Sequence, residues 1–434
     1  MTFYELFVHC DILFEQYAFC FKLKSILYGD KTFFLFVSFS FFGCDVCFLY
    51  VPKEGDIIED SAFRSVDLRI IEKAEGTVMS LSDLVESYEV IKLENRDEAL
   101  IKTYPFGIFV TDNYILLNPD AISPIKLFTR KGQYVADIGG IGQGPGEYKT
   151  IHFCMIDEKQ KRIYLGPGRA NKILTYDLKG NYLSDEAIHF KEIVHKPCIW
   201  MDHDKKHVTV VGLPFSENEN SNFEISNNVC WVQNREGDIV HRISANHYGL
   251  IGDYSNGLVA CRNVDAISFS IFEDPMLRTR PDTLYHYDAV KNIITPRFTI
   301  DHVVSENQSA CTVLYETSQS YWARVTLYPN DISSNSSPAR LTTFNVCVSK
   351  KDGSVRRIDR FTDNLLGFSY PFLTMRNGYV CISYDPLELM DALDKVLAQT
   401  DLKPEIRKRA TGLRNSLHEN DNDILMIGKL KSNY

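Results

Sequence analysis

From about residue 88 onward, short apolar runs alternate with Asp-, Asn- and Gly-bearing turns, a pattern that predicts strands joined by tight hairpins. One unit recurs: an apolar strand, an acidic or amide turn, and a second apolar strand. It occurs at residues 108–112 before 114–117, at 154–157 before 162–165, and at 199–202 before 207–211. The turn aspartates Asp112, Asp157 and Asp202 are spaced 45 and 45 residues apart. Further copies turn near Asn263, near Thr317 and at Asn377-Gly378, which makes six. A second unit follows the first: strand, turn, strand. Its turns fall at Lys131-Gly132, Lys179-Gly180, Glu236-Gly237, Lys291-Asn292 and Asp352-Gly353. Gly and Asn accept the positive φ that tight hairpins require.

Two hairpins every 45–60 residues make a four-stranded antiparallel sheet. Several such sheets in series predict an all-β fold, a six-bladed β-propeller over residues 88–431. Only five second hairpins occur in order. The missing strand is assigned to residues 88–93, which would pair with 423–428 and close the ring, leaving no open edge to template aggregation. One segment departs from the pattern. Asp385-Pro386 supplies a helix N-cap and a first-turn proline. Leu389, Met390, Leu393, Val396 and Leu397 then follow helical spacing, as do Ile406, Ala410, Leu413 and Leu417 after Pro404. A helical hairpin over about 385–418 is therefore expected inside the last blade, packed against the propeller.

The first 50 residues read as an N-terminal extension plus a targeting segment, with 51–87 as a linker. The apolar stretch from Phe33 to Cys44 has the length of a secretory h-region, preceded by Lys22, Lys24 and Lys31. Gly43-Cys44-Asp45 resembles the lipobox of bacterial lipoproteins, with Phe41 and Phe42 departing from the usual residues. That resemblance implies lipidation at Cys44, a signal peptide, export, and a lipoprotein at the outer membrane or facing the periplasm. The competing reading is a transmembrane anchor over Thr32 to Val51, against which Asp45 stands as a costly charge. The Phe- and Tyr-rich residues 1–25 suit neither, so translation is expected to start downstream of Met1.

The chain of 434 residues carries a net charge of −10, which argues against a nucleic-acid surface. Its one compact basic run, Arg407-Lys408-Arg409, falls in the helical pattern and reads as a solvated helix face. The 11 cysteines form no disulfide framework: beyond residue 47 they stand singly in apolar runs, as small hydrophobes. Cys44-x-x-Cys47 is half a metal motif with no second pair, so no metal or other cofactor is expected.

The most distinctive stretch is Ile138-Gly-Gly-Ile-Gly-Gln-Gly-Pro-Gly-Glu-Tyr148, preceded by Phe128-Thr-Arg-Lys-Gly132. With residues 282–285 and the tail 422–431, it resembles the six-bladed, NHL-like β-propeller lipoproteins of Bacteroides-type bacteria, over roughly residues 85–431. The resemblance implies the fold; it implies no activity, since propellers host many.

The glycine run is not a dinucleotide fingerprint, because Pro145 interrupts it and no helix pattern follows. It falls where one blade crosses to the next. It reads first as a backbone needing positive φ and second as a ligand-contacting loop of Gln143, Gly144, Gly146, Glu147 and Tyr148. Asp112, Asp157 and Asp202 share one phase, which marks them as turn caps rather than a catalytic ring. Asp202-His203-Asp204 with His207 sits in a hairpin turn that would scatter its side chains, unlike a metal site. Two function classes remain. The favoured one is a non-enzymatic, monomeric binding or scaffold propeller on the cell envelope, contacting a glycan, peptide or partner protein. The alternative is a propeller hydrolase, lactonase-like or glycan-cleaving, which would need carboxylates converging on the channel. No in-phase acidic set on the inner strands supports it.

Overall fold

The computed structural model describes residues 53–54, 56–57, 62–101, 105, 107–119, 123–202, 206–215, 226–245, 248–250, 255–274, 280–301, 308–329 and 341–431. Cys44, Cys47 and the whole targeting segment lie outside these residues, as do His203 and Asp204. Alternating apolar positions bury one or both faces of each strand, and six antiparallel sheets result. Blade 1 holds Gly107–Val110, Tyr114–Asn118, Ile125–Thr129 and Tyr134–Ile138. Blade 2 holds Ile151–Asp157, Arg162–Pro167, Arg169–Asp177 and Ile188–His195. Blade 3 holds Cys198–Met201, His207–Val211, Asn228–Asn234 and Ile239–Ser244. Blade 4 holds Gly257–Cys261, Ile267–Phe272, Thr283–Asp288 and Ile293–Asp301. Blade 5 holds Gln308–Glu316, Ser320–Pro329, Thr342–Ser349 and Val355–Thr362, edged by the short Ser369–Tyr370. Blade 6 takes Met375–Arg376, Tyr379–Tyr384 and Ile424–Leu430 from the end of the chain and Val85–Lys92 from its beginning.

That last pairing closes the ring as expected, with Val90 facing Met426 and Ile91 facing Leu425. The closure is packed as well as hydrogen-bonded, because Ile91, Leu93, Leu425 and Ile427 share a core with Val110, Ile115, Leu117 and Phe128 of blade 1. The turns also join blades. Gly132 has φ 83°, and a Cβ there would lie 2.3 Å from the Lys92 carbonyl oxygen of blade 6. Gly180, at φ 84°, would meet the Asp137 carbonyl of blade 1 at 2.2 Å. Glycine is needed at both positions twice over, for its φ and for the close approach of the neighbouring blade.

Within residues 51–87, expected as a linker, the described residues ahead of Val85 instead form a belt. Lys53–Glu54 pairs in parallel with the outer strand of blade 3, Asp56–Ile57 and Arg64–Asp67 with that of blade 4, and Thr77–Ser80 with that of blade 5. Outer strands present unpaired backbone groups, and the belt satisfies them. Leu68, Ile71, Leu81 and Leu84 anchor it in the core of blades 4 to 6. Its strands have two to four residues and lack hairpin turns, so local pattern does not reveal them.

The helical hairpin is present as Pro386–Leu397 and Pro404–Ser416, with the Asp385 carboxylate accepting from the Leu387 and Glu388 amides. Leu389, Leu393, Val396 and Ala410 join the same core. Arg407 and Arg409 donate to the carbonyls of Leu397, Gln399, Leu365 and Asn364, so the basic run fastens the hairpin rather than presenting a free patch. Among the described residues no helix is long and apolar enough to cross a membrane.

Candidate functional site

In an up-and-down blade the first and third connections lie on one face of the ring, here called the turn face. The second connections and the crossings between blades lie on the other, the crossover face. The Gly139–Tyr148 segment links the outer strand of blade 1 to the inner strand of blade 2, as expected, and so belongs to the crossover face. It folds on itself. Gly140–Ile141 pairs with Glu147–Tyr148, the Gly144 amide donates to Glu147 Oε2 at 2.8 Å, and the Glu147 amide donates to the Gly144 carbonyl at 3.0 Å. Tyr148 does not project. It is buried, its hydroxyl donating to the Ile138 carbonyl at 2.7 Å and accepting from the Ile125 amide at 2.8 Å. The left-handed positions are Gly139 (φ 68°) and Gly146 (φ 74°), and Gly144 is not among them. Tyr176 donates to the Gly146 carbonyl at 2.7 Å. Of the five residues considered as ligand contacts, Gln143, Gly144 and Glu147 are exposed, while Gly146 and Tyr148 are buried structural parts.

On the turn face, where the inner strands end, a cavity of about 690 Å³ opens at the channel mouth. Met155, Trp200, Met201 and Tyr379 give it apolar and aromatic walls, with Asp112, Asp157, Glu158, Lys159 and Lys429 around it and Arg262 and Asn377 among its lining. Side chains tie the inner strands together across the axis. Asn263 of blade 4 donates to the Glu316 and Met375 carbonyls, each at 3.1 Å, and accepts from the Gly378 amide at 2.9 Å. His152 of blade 2 donates to the Leu258 carbonyl of blade 4 at 2.9 Å; burial and the nearby Lys196 charge hold its ring neutral, down at about 4.

The three turn aspartates differ from one another. Asp157 caps its own turn, accepting from the Gln160 amide and side chain at 2.9 and 2.6 Å. Asp202 accepts from Thr209 of the same hairpin at 3.2 Å. Asp112 does not play the expected capping part: Thr111 takes it, through the Tyr114 amide at 3.1 Å. Asp112 instead accepts from the Tyr379 hydroxyl at 2.7 Å and pairs with Lys429 at 3.4 Å, both of blade 6, and these two partners hold its carboxyl below the usual range. Burial pushes Glu158 up, but hydrogen bonds from Asn113 and Thr111 outweigh it and leave the carboxyl lowered.

Sequence reasoning passed over the residues just before the first-hairpin turns. That position holds Arg262 in blade 4, Glu316 in blade 5 and Arg376 in blade 6. Glu316 has no exposed side-chain surface and lies 2.5 Å from Ser268, His286 and Lys350. Burial alone would raise it; the His286 hydrogen bond and charge, with Lys350, outweigh that and hold it at about 2. Ser268 and His286 both bond Glu316, so no activated Ser–His pair arises. None of the described cysteines forms a disulfide, and burial pushes Cys198 and Cys381 up to about 12 and Cys261 to about 11, away from thiolate chemistry. Among the described residues no three His, Cys, Asp or Glu side chains converge as metal ligands would.

The fold recurs in a solved structure. A provisionally assigned exported protein (BF0058) of Bacteroides fragilis NCTC 9343 superposes with a TM-score of 0.55 at 16% identity, over 85% of this chain and 99% of its own. A member of the duf4221 family from Bacteroides vulgatus gives a TM-score of 0.43 at 10% identity, over 80% and 98%. No curated protein matches in sequence. The model of a domain of unknown function, DUF4934, matches residues 65–429, from the belt to the last strand of the ring, and the chain belongs to that family.

Proposed function

We propose that this protein is an exported, non-catalytic binding propeller of the cell envelope, held at a membrane through an acylated Cys44. It takes part of a glycan, peptide or partner protein into the turn-face cavity. The cavity carries the reading. It is concave, aromatic-walled and of ligand size, and convergent polar groups ring it. Its carboxylates argue against hydrolysis. A glycosidase-type mechanism needs an acid kept protonated near neutral pH, whereas Asp112 and Glu158 are both held below the usual range. Export and anchoring draw support from the Gly43-Cys44 motif and from the exported assignment of the Bacteroides fragilis protein that shares the fold.

The test is a panel of envelope glycans and peptides bound to the purified protein, with Trp200→Ala as the cavity variant. A ligand whose binding weakens in Trp200→Ala supports the reading. Ligands that all bind the variant as well as wild type sink it, and product formation by mass spectrometry favours the hydrolase. Separately, Cys44→Ala is expected to abolish palmitate labelling in cells; labelling that persists removes the anchor.

A further inference from the structure

We propose that the floor of the turn-face cavity is an oxyanion site, in which a carboxylate or phosphate-ester group of the ligand sits against the guanidinium groups of Arg262 and Arg376. This rests on the reading of the cavity as the binding site and names the chemistry it selects.

The two arginines occupy the same place in their blades, the residue before the turn asparagine: Arg262-Asn263 in blade 4 and Arg376-Asn377 in blade 6. Arg262 lines the cavity. It donates to the Ile199 carbonyl and lies against the Trp200 ring, 4.5 Å from its centroid, and the Phe153 ring at 5.1 Å. Its Nε is buried and has no hydrogen-bond partner. Arg376 stands beside Asn377, which also lines the cavity. It reaches the inner strand of blade 1, where a Cβ on Gly107 would lie 3.4 Å from its Nη1. Among the described residues the Arg376 side chain makes no hydrogen bond or ion pair.

Several partly buried cations of this fold are matched by carboxylates. Lys126 pairs with Asp137 at 2.9 Å, Arg162 with Glu186 at 2.6 Å, and Lys350 with Glu316 at 2.5 Å. Arg262 and Arg376 have no such partner among the described residues, and their charges oppose each other. Burial pulls Arg262 down to about 10 against the opposing effect of the Cys198 and Cys154 thiols, and the Arg376 charge adds a smaller push in the same direction as burial. His152, Cys154 and Cys198 also feel Arg376, which places its positive charge among the inner strands of blades 2 and 3. Around the cavity, Asp112, Asp157 and Glu158 balance Lys159 and Lys429 with Arg262, and Arg376, next in sequence to the lining residue Asn377, adds a further positive charge. A guanidinium presents a planar fork of N–H donors whose spacing suits carboxylate and phosphate oxygens. One oxyanion would satisfy the orphan Nε and relieve the repulsion together, and it would do so in a desolvated place where charge-assisted bonds are strong.

The experiment measures binding calorimetrically and by thermal shift, using acetate, inorganic phosphate, glucuronate and uncharged glucose, with chloride at matched ionic strength as the control. Acetate and glucuronate report a carboxylate preference, phosphate a phosphate preference. Either anion class is expected to bind and raise the melting temperature where chloride does not, and glucuronate is expected to bind more tightly than glucose. Arg376→Gln has no partner to lose, so it should fold as well as wild type. It should weaken the anions by about tenfold or more, the loss typical of a hydrogen bond to a charged group. Arg262→Gln should do the same where it folds. The proposal is overturned if neither acetate nor phosphate acts beyond chloride, or if Arg376→Gln binds the anions like wild type. If glucose binding depends on Trp200 while the arginine variants are neutral, the cavity reading survives and the oxyanion site does not. If no probe depends on Trp200, the cavity reading itself falls.

Discussion

The glycine-rich crossing at residues 139–148 and the cavity of the turn face belong to one ring, and their polar groups meet opposite fates. In the crossing, the Glu147 carboxylate, the Gly144 amide and the Tyr148 hydroxyl find partners within the protein. In the cavity, a guanidinium nitrogen is buried with none. The crossing is the most conspicuous run in the sequence because a self-satisfying loop needs unusual residues at several adjacent positions. The arginines are inconspicuous, two single charges 114 residues apart. The contrast teaches that a distinctive sequence run can be the mark of a solved structural problem. An unanswered buried polar group points to a binding site when it also lines a cavity, as Arg262 does.

The largest expected effect tests a buried charge that is matched, Glu316. Glu316→Ala leaves Lys350 and His286 facing an empty pocket and should cost about 3–5 kcal/mol by denaturant unfolding. In wild type the lowered carboxyl makes a pH signature. The stabilisation is fully present above the ordinary range near 4.5 and is lost as pH falls towards about 2. Glu316→Gln should flatten that acid limb of the stability curve; an unchanged limb would show that Glu316 is not its source.

Next come the glycines of the crossing. Gly146→Val places a β-branched residue at φ 74° with its Cβ 2.6 Å from the Tyr182 ring, and should cost about 2–4 kcal/mol. Gly144→Val lacks the positive φ and meets the Glu147 carboxylate at 3.0 Å, so it should cost under about 1 kcal/mol. Equal losses from the two would mean that the loop is not held by its left-handed positions. Tyr148→Phe strands the Ile125 amide and Ile138 carbonyl and should cost about 1–3 kcal/mol, with ligand binding in the cavity unchanged. The smallest effect is Glu147→Ala, an exposed change expected within about 0.5 kcal/mol of wild type. Were it to abolish binding at unchanged stability, the crossover face would be the binding face and the comparison would invert.

Much of the fold was legible because it is written locally. The hairpin turns carry their own chemistry in Asp, Asn and Gly, and residues 88–93 are matched with 423–428 because only five second hairpins occur in order and one strand is missing. The belt was not legible: a four-residue strand such as Arg64–Asp67 gains its meaning only from an outer strand made by residues 293–301. The site was legible in part. The phase of Asp112, Asp157 and Asp202 located the turn face, but the capping assigned to Asp112 failed because Tyr379 and Lys429 arrive from the far end of the chain. The repeated Arg-Asn step at 262–263 and 376–377 was the available signal for the arginines. Two residues so far apart in sequence carry no local pattern that marks them as neighbours.

The belt gives the protein a graded response to force. Tension applied ahead of residue 53 would reach the parallel pairs in sequence, two on blade 3, two and then four on blade 4, and four on blade 5. Only then would it load the seven pairs that close the ring. Each step is longer than or equal to the one before, so a pull from the N-terminal side would yield at the weak steps first. The blades, and whatever the channel holds, would stay intact while the belt unwinds as a mechanical fuse.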